Sequence, residues 1–341
     1  MMNPQLMTKS AVRWGILGAA RIAENYAIPA ICKLHGSRVY AISSRRRERA
    51  EHLGHQFDIN CVYDSYRQLV EAPDVDAVYI ALPNALHADW VIAALENGKH
   101  VLCEKPITTS IADVSKIEDA ALAAGKLAAE AMMYRHHPQF ECLLAMVAKG
   151  VVGEVHSVHG VLSFMLDDPG DIRMSRGLGG GALLDLACYA VDASSMIYGC
   201  PPCAGAAVSF RADGNVDVDL HTTGILEYPG GNVASVEASF RLPWLESRLQ
   251  VYGEEGSLLL PHAFNPGTAP TELIHNRPDG STHVMTFAGV NMYERMFAAF
   301  TRSIENNLDA TALIGGSKAV QVGLELLASH QSLQDMRCRP A

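Results

Sequence analysis

Several things are scarce in this sequence, and each shortage excludes a class of protein. No apolar run in the 341 residues approaches the roughly 18 that a membrane span requires, so no membrane partner is expected. Positive charge is short: 27 Lys and Arg against 37 Asp and Glu leave a formal net charge of −10. That balance argues against a nucleic-acid partner or an acidic lipid surface. Charged residues make up only 19%, while hydrophobic residues reach 49%, which suits buried cores and not a disordered chain. The eight cysteines are scattered and form no disulfide framework. Cys200 and Cys203 are the close pair, separated by two prolines, and read as a turn with ordinary thiols. The segment Met1–Ser10 lacks the zones of a signal peptide, so a cytoplasmic protein is expected.

What is present is a strong alternation. Candidate strands Val12–Leu17, Arg38–Ser43, Cys61–Tyr63, Ala77–Leu82, His100–Cys103 and Leu127–Ala131 alternate with candidate helices. The helices are Arg21–Leu34, Arg46–Gln56, Ser65–Glu71, Ala85–Asn97 and Ile111–Ala124. Short connections between such elements imply parallel strands joined by right-handed crossovers, hence a doubly wound α/β sheet. The character changes near Tyr134. Helices over Gln139–Lys149 and Leu183–Tyr198 are joined by strands over Val155–Leu166, Gly205–Arg211, Asp217–Tyr228, Asn232–Ser239, Arg248–Tyr252 and Ser257–Leu260. Helices Met292–Asn306 and Gly316–Ser332 close the chain. The length predicts two domains, 1–132 and 133–341, with no flexible linker between them.

The first strand runs into Gly15-Ile-Leu-Gly18-Ala-Ala20-Arg-Ile-Ala23. As a dinucleotide fingerprint this is Gly18-x-Ala20-x-x-Ala23, with alanine at the second and third glycine positions. The glycine permits the tight turn, the small residues allow a close pyrophosphate, and the helix amides favour its charge. The second strand discriminates between cofactors. It ends in Ser43-Ser44-Arg45-Arg46-Arg47, where an NAD enzyme usually carries a carboxylate for the ribose 2′-hydroxyl. Arginines at a helix start oppose its dipole, and a bound 2′-phosphate accepting from Arg45 or Arg46 would resolve the conflict. NADP is therefore the expected cofactor. On these grounds Gly18, Ala20, Arg21, Ile22, Ser43, Ser44, Arg45 and Arg46 are expected to face the cofactor.

Glu104-Lys105-Pro106 ends a strand at the carboxyl edge of the sheet, where open α/β folds bind ligands. Pro106 restricts Lys105 to extended geometry and allows a cis bond. Further on, Asp185 and Tyr189 lie four apart on a helix entered through Gly179-Gly180-Gly181, so both side chains can face one cleft.

Taken with Pro83-Asn84-Ala-Leu-His87, these motifs resemble the Gfo/Idh/MocA oxidoreductase family across essentially the whole chain. The resemblance implies a Rossmann domain followed by a mixed α+β domain whose open, largely antiparallel sheet commonly forms the oligomer interface. It implies a homodimer, or a homotetramer, and a sugar or polyol substrate. Lys105 inherits a place beside the nicotinamide and substrate. The last motif position is Tyr189 where inositol-dehydrogenase-like members carry histidine. This is similar to the subgroup of glucose–fructose oxidoreductase, dimeric dihydrodiol dehydrogenase, NADP-dependent xylose dehydrogenases and ketosugar reductases. By resemblance, Tyr134, His136 and His137, and the Gly170-Asp171-Ile-Arg173 segment, line the substrate and nicotinamide region. The resemblance adds Leu82, Pro83, Asn84, His87, Glu104, Lys105 and Arg173 to the residues expected to face the cofactor. The expected substrate set is Lys105, Tyr134, Arg173, Asp185 and Tyr189. The expected chemistry is hydride transfer with Tyr189 as general acid or base, its pKa lowered by Lys105, and Asp185 orienting the site. The cofactor supplies the redox chemistry, so no metal is required. The rival readings are an NAD-dependent glycosidase of the same family and a non-catalytic NADP or sugar sensor.

Overall fold

The computed structural model describes residues 11–211, 217–310 and 313–329. The segment Met1–Ser10 and the end of the helix expected to reach Ser332 lie outside these. Strands β1 (Val12–Leu17), β2 (Ser37–Ser43), β3 (Cys61–Tyr63), β4 (Ala77–Ile80), β5 (His100–Cys103) and β6 (Ala128–Glu130) form one sheet in the order β3-β2-β1-β4-β5-β6. Every neighbouring pair is parallel. The connecting helices are α1 (Ile28–Cys32), α2 (Arg47–Gln56), α3 (Tyr66–Glu71), α4 (His87–Glu96) and α5 (Ile111–Ala124). The expected doubly wound sheet forms because its strands are apolar on both faces, as a sheet covered by helices on each side requires. Leu17, Val78, Ile80 and Val101 pack with Leu69, Val91, Leu95 and Ile117, while Trp14, Ile16, Tyr79 and Leu102 belong to the larger core. The first helix differs from expectation: Ala23–Ala27 is π-helical and only Ile28–Cys32 is α.

After α6 (Pro138–Ala148) the chain enters a second sheet through β7 (Val155–Ser163). Helix α7 (Cys188–Tyr198) follows, then β8 (Ala204–Arg211), β9 (Asp219–Tyr228), β10 (Asn232–Ser239), β11 (Glu246–Gly253), β12 (Gly256–Leu260), β13 (Thr271–Asn276) and β14 (Thr282–Phe287). Their order is β14-β13-β12-β11-β7-β10-β9-β8. All pairs are antiparallel except β7 with β10, which run parallel at its centre. Strands β13 and β14 have no counterpart in the sequence reading. Both carry Thr and His among their apolar residues, and β14 is an exposed edge with little apolar rhythm. The parallel pair brings the ends of β7 and β10 to one edge, where the Phe164 amide donates to the Ser239 carbonyl at 3.0 Å. Helix α7 crosses this sheet closely. A Cβ on Gly160 of β7 would lie 2.4 Å from the Ala190 Cβ, so only glycine permits the approach.

The last helices, α8 (Met292–Glu305) and α9 (Gly315–Ser329), return to the first domain. Phe297 of α8 meets Trp14 edge-on at 5.2 Å and Tyr79 at 5.3 Å. Ser317 of α9 donates to the buried Glu130 carboxylate at 2.9 Å, and Gln321 donates to the Thr108 carbonyl at 2.7 Å. The core of the first sheet is thus completed by residues from the far end of the chain. Among the described residues, no helix is long and apolar enough to cross a membrane.

Candidate active site

The strand order reverses between β1 and β4, and a crevice opens at the carboxyl ends of both, as this topology dictates. Gly18 makes the turn with φ +98°, and its amide donates to the Ser43 carbonyl at 2.9 Å. A Cβ there would fall 2.3 Å from the Ala81 carbonyl oxygen, so a side chain is excluded and the backbone of the turn stays open to a ligand. The cleft has a volume of about 1370 Å³. That exceeds the roughly 300–1,000 Å³ of an ordinary small-molecule pocket and leaves room for a large ligand beside a smaller one. Of the expected residues it brings together Gly18, Ala20, Arg21, Ile22, Ser44, Arg45, Arg46, Leu82, Pro83, Asn84, Glu104, Lys105, Arg173 and Asp185.

At one end of the cleft the arginines after β2 divide into two kinds. Arg47 is paired with Glu51 at 2.7 Å and with Asp64, and Arg49 is paired with Glu24. Arg45 and Arg46 are exposed, line the cleft, and have no side-chain partner among the described residues. Their backbones are nevertheless fixed, since the Arg45 amide donates to the Tyr66 hydroxyl at 3.2 Å and the Arg46 amide to the Ser44 hydroxyl at 3.3 Å. Tyr66 and Trp90, which also line this end, meet edge-on at 5.2 Å. The arrangement fits a phosphorylated dinucleotide: an open glycine turn, a helix start and two cations without partners. Tyr66 and Trp90 carried no signal in the sequence, because nothing in their spacing separates a cleft aromatic from a core one.

At the other end Lys105, Asp185, Arg173 and Asp171 are paired with one another. The Lys105 ammonium donates to the Asp185 carboxylate at 2.7 Å and to its backbone carbonyl at 2.6 Å. Asp185 sits in a π-helical stretch, Leu183–Ala187, ahead of α7, and its other oxygen lies 3.7 Å from Arg173. Arg173 in turn is bound to Asp171. Burial works against the lysine charge, yet the Asp185 carboxylate outweighs it and holds Lys105 above the ordinary lysine value. Glu104 accepts from the Tyr79 hydroxyl at 2.5 Å, and burial pushes its carboxyl up despite that bond and Lys105. The Lys105–Pro106 bond is cis.

Four expected residues do not line the cleft. Ser43 is buried and contributes its carbonyl to the glycine turn. His87 is buried, its ring nitrogens 2.7 Å from the Pro106 carbonyl and 2.8 Å from that of Leu82, so it props the cleft wall from behind. Tyr134 has no exposed surface, and its hydroxyl is committed to Asp192 at 2.5 Å. Tyr189 lies one layer below the cleft: the Lys105 ammonium sits 4.9 Å from its ring centroid and its hydroxyl reaches Met133 Sδ at 3.5 Å. Asp185 and Tyr189 therefore both meet Lys105, as their spacing suggests, but only the shorter side chain emerges. The expected lowering of the Tyr189 pKa is corrected. Burial pushes the phenol well above its ordinary value, with Cys188, Glu104 and Asp185 adding to the effect, because the ammonium faces the ring and not the hydroxyl. His136 and His137 serve structure: the His136 carbonyl accepts from Arg295 at 2.5 Å, and His137 caps α6.

Residues 12–132 match the oxidoreductase family model with an NAD-binding Rossmann fold, and residues 140–259 match the C-terminal domain of the same family. The chain belongs to the GFO/IDH/MocA oxidoreductase family. It is an NAD(P)-dependent oxidoreductase acting on CH–OH groups. Among its relatives in the family is D-xylose 1-dehydrogenase (NADP(+)) 2 of Haloferax volcanii, 38% identical over 94% of this chain and 97% of that protein. The dTDP-3,4-didehydro-2,6-dideoxy-alpha-D-glucose 3-reductase of Saccharopolyspora spinosa is 31% identical over 91% of this chain and 93% of that one. A 3-ketoreductase from Actinomadura kijaniata, solved with NADP and TDP-benzene, superposes with a TM-score of 0.87 at 29% identity, covering 94% of this chain and 98% of that one.

Proposed function

We propose that this GFO/IDH/MocA enzyme is an NADP(H)-dependent dehydrogenase or reductase that exchanges a hydride with a carbon of a sugar or polyol. The observation that carries this reading is the pair of partnerless guanidinium groups, Arg45 and Arg46, on the cleft wall where β2 ends. They would hold the 2′-phosphate, and the Gly18 turn with the helix start beyond it would hold the pyrophosphate. The relatives named for NADP and for sugar or ketosugar substrates support both halves of the reading.

When bound, the nicotinamide supplies the hydride chemistry. The chain's own residues supply charge and protons. Lys105 stays cationic at neutral pH and stabilises negative charge that develops on the reacting oxygen. Asp185 fixes the direction of the ammonium by accepting two hydrogen bonds from it, one at its carboxylate and one at its backbone carbonyl. Tyr189 is held protonated under Lys105, and its hydroxyl, which here is turned to Met133, would have to swing into the cleft to donate a proton during carbonyl reduction. Oxidation needs the reverse transfer.

The test is a parallel titration with NADPH and NADH, followed by turnover of D-xylose, other aldoses and ketosugars with the preferred cofactor. Tight NADPH binding with net reduction or oxidation of a sugar is the expected result. Preference for NADH would remove the 2′-phosphate assignment. Sugar cleavage without net NADPH change would move the enzyme to the glycosidase reading.

A further inference from the structure

Between β7 and the π-helical turn at Asp185, residues 167–180 form a strap that crosses to the first domain and is fastened there twice. At one point the Asn84 side-chain amide donates to the Gly179 carbonyl at 2.8 Å. At the other, Arg21 of the fingerprint turn donates to the Asp171 carboxylate at 3.3 Å. Between these fastenings Asp171, Ile172, Arg173 and Leu178 line the same cleft as Gly18 and Ile22.

Asp171 is unusual in this strap. Its neighbours Gly170 and Ile172 are exposed, yet its own side chain is only 6% exposed. One carboxylate oxygen accepts from the Arg173 amide at 3.0 Å and from its Nε at 2.9 Å, and the other accepts from its Nη2 at 3.2 Å. Burial would raise this carboxyl, but the hydrogen bonds from Arg173 outweigh it and bring it below the usual aspartate value. The carboxylate is therefore rigid and charged, and its remaining capacity points at Arg21. Arg21 is the opposite: its side chain is 76% exposed, and among the described residues its side chain pairs with Asp171 alone. A pair at 3.3 Å whose cation stands largely in solvent is weak and opens easily, whereas the Asn84–Gly179 bond is shorter and part-buried. The strap is thus hinged at Gly179 and fastened loosely at Asp171.

We propose that Asp171 is a positioning residue for the cofactor: through Arg21 it latches the strap over the bound dinucleotide, and release of that pair lets the dinucleotide leave. The proposal rests on the dinucleotide reading of the cleft. Asp171 also caps the turn Ile172–Met174, so the test must separate a latch from a cap. A cap acts without Arg21, and a latch acts only through it.

The experiment measures the rate of NADPH release by stopped-flow fluorescence from the full-length protein. The variants are Asp171→Asn, Arg21→Gln and the double replacement. Asp171→Asn is expected to speed release about fivefold when Arg21 is present, and by less than about twofold in the Arg21→Gln background. Equal release from wild type and Asp171→Asn overturns the proposal. So does an acceleration that is the same in both backgrounds, which is what capping alone produces. If Asp171→Asn folds poorly, Asp171→Ser takes its place in the same comparison, since serine keeps the cap and loses the charge. A wild-type chain that binds neither NADPH nor NADH overturns the dinucleotide reading itself, and the latch with it.

Discussion

The two ends of the cleft solve opposite electrostatic problems. At the β2 end, Arg45 and Arg46 stand exposed with no side-chain partner among the described residues, while their neighbours Arg47 and Arg49 are neutralised by Glu51, Asp64 and Glu24. At the β5 end, Lys105, Asp185, Arg173 and Asp171 form an unbroken series of opposite charges, each partly or largely buried. A charge that binds an anion from water gains by staying solvated and free until the anion arrives. A charge that acts on a reacting atom must already be in place, because ordering it during the reaction would add to the barrier.

Replacements at the two ends should therefore fail differently. The largest effect belongs to Lys105. Lys105→Met is expected to lower kcat by about 10³-fold, the scale of losing one electrostatic stabiliser in a dry site. NADPH affinity by fluorescence titration should change far less, and a comparable loss of affinity would break the division between the ends. Tyr189→Phe comes next, with kcat down about 10²-fold, as expected for removing a proton donor. Full turnover in that variant would take Tyr189 out of the mechanism. Replacing Arg45 and Arg46 together by Ala should weaken NADPH roughly 10- to 100-fold, as loss of charge-assisted hydrogen bonds implies, and leave kcat at saturating cofactor nearly intact. NADH binding should stay unchanged, and parallel weakening of both cofactors would sink the 2′-phosphate assignment.

The smallest effect is on stability, and it lies behind the reaction end. Burial, helped by Arg135, Arg295 and Arg302, pushes the His136 pKa down to about 4 from an ordinary 6.5. The folded state then binds fewer protons than the unfolded state between these values, so stability is full above about 6.5 and drains away as pH falls towards 4. Denaturation midpoints measured across that window should fall with pH, and His136→Asn should make the fall shallower. An unchanged slope would mean that other groups carry the acid sensitivity.

Much of this was legible in the sequence, for identifiable reasons. The first sheet announced itself because parallel strands buried on both faces read as unbroken apolar runs, and Gly18 because a backbone carbonyl leaves no room for a side chain. The cleft residues after β1, β2 and β5 followed from their positions at strand ends, Asp185 from its helical spacing, and Pro83, Asn84 and Arg173 from the family resemblance. Strands β13 and β14 were hidden, since a polar edge strand carries little hydrophobic rhythm. The parallel pairing of β7 with β10 is a matter of topology, and no local signal encodes it. For Tyr189 the spacing identified the right face of the helix but not the depth of the hydroxyl, which depends on how Lys105 and Met133 pack around the ring. Asp171 stood in a visible motif. Its grip on Arg21 spans 150 positions of sequence and only the fold brings the two together.

The return of α8 to the first sheet has a consequence for how the enzyme is made. Trp14 and Tyr79 leave the ribosome before the second sheet is made, whereas Phe297, which packs against both, leaves only after it. Throughout the intervening synthesis one face of the nascent sheet lacks its cover, so a chain stalled before Met292 should stay open to protease. The half that binds the cofactor is begun before the second sheet but cannot be completed until α8 has been made, so the two halves mature together.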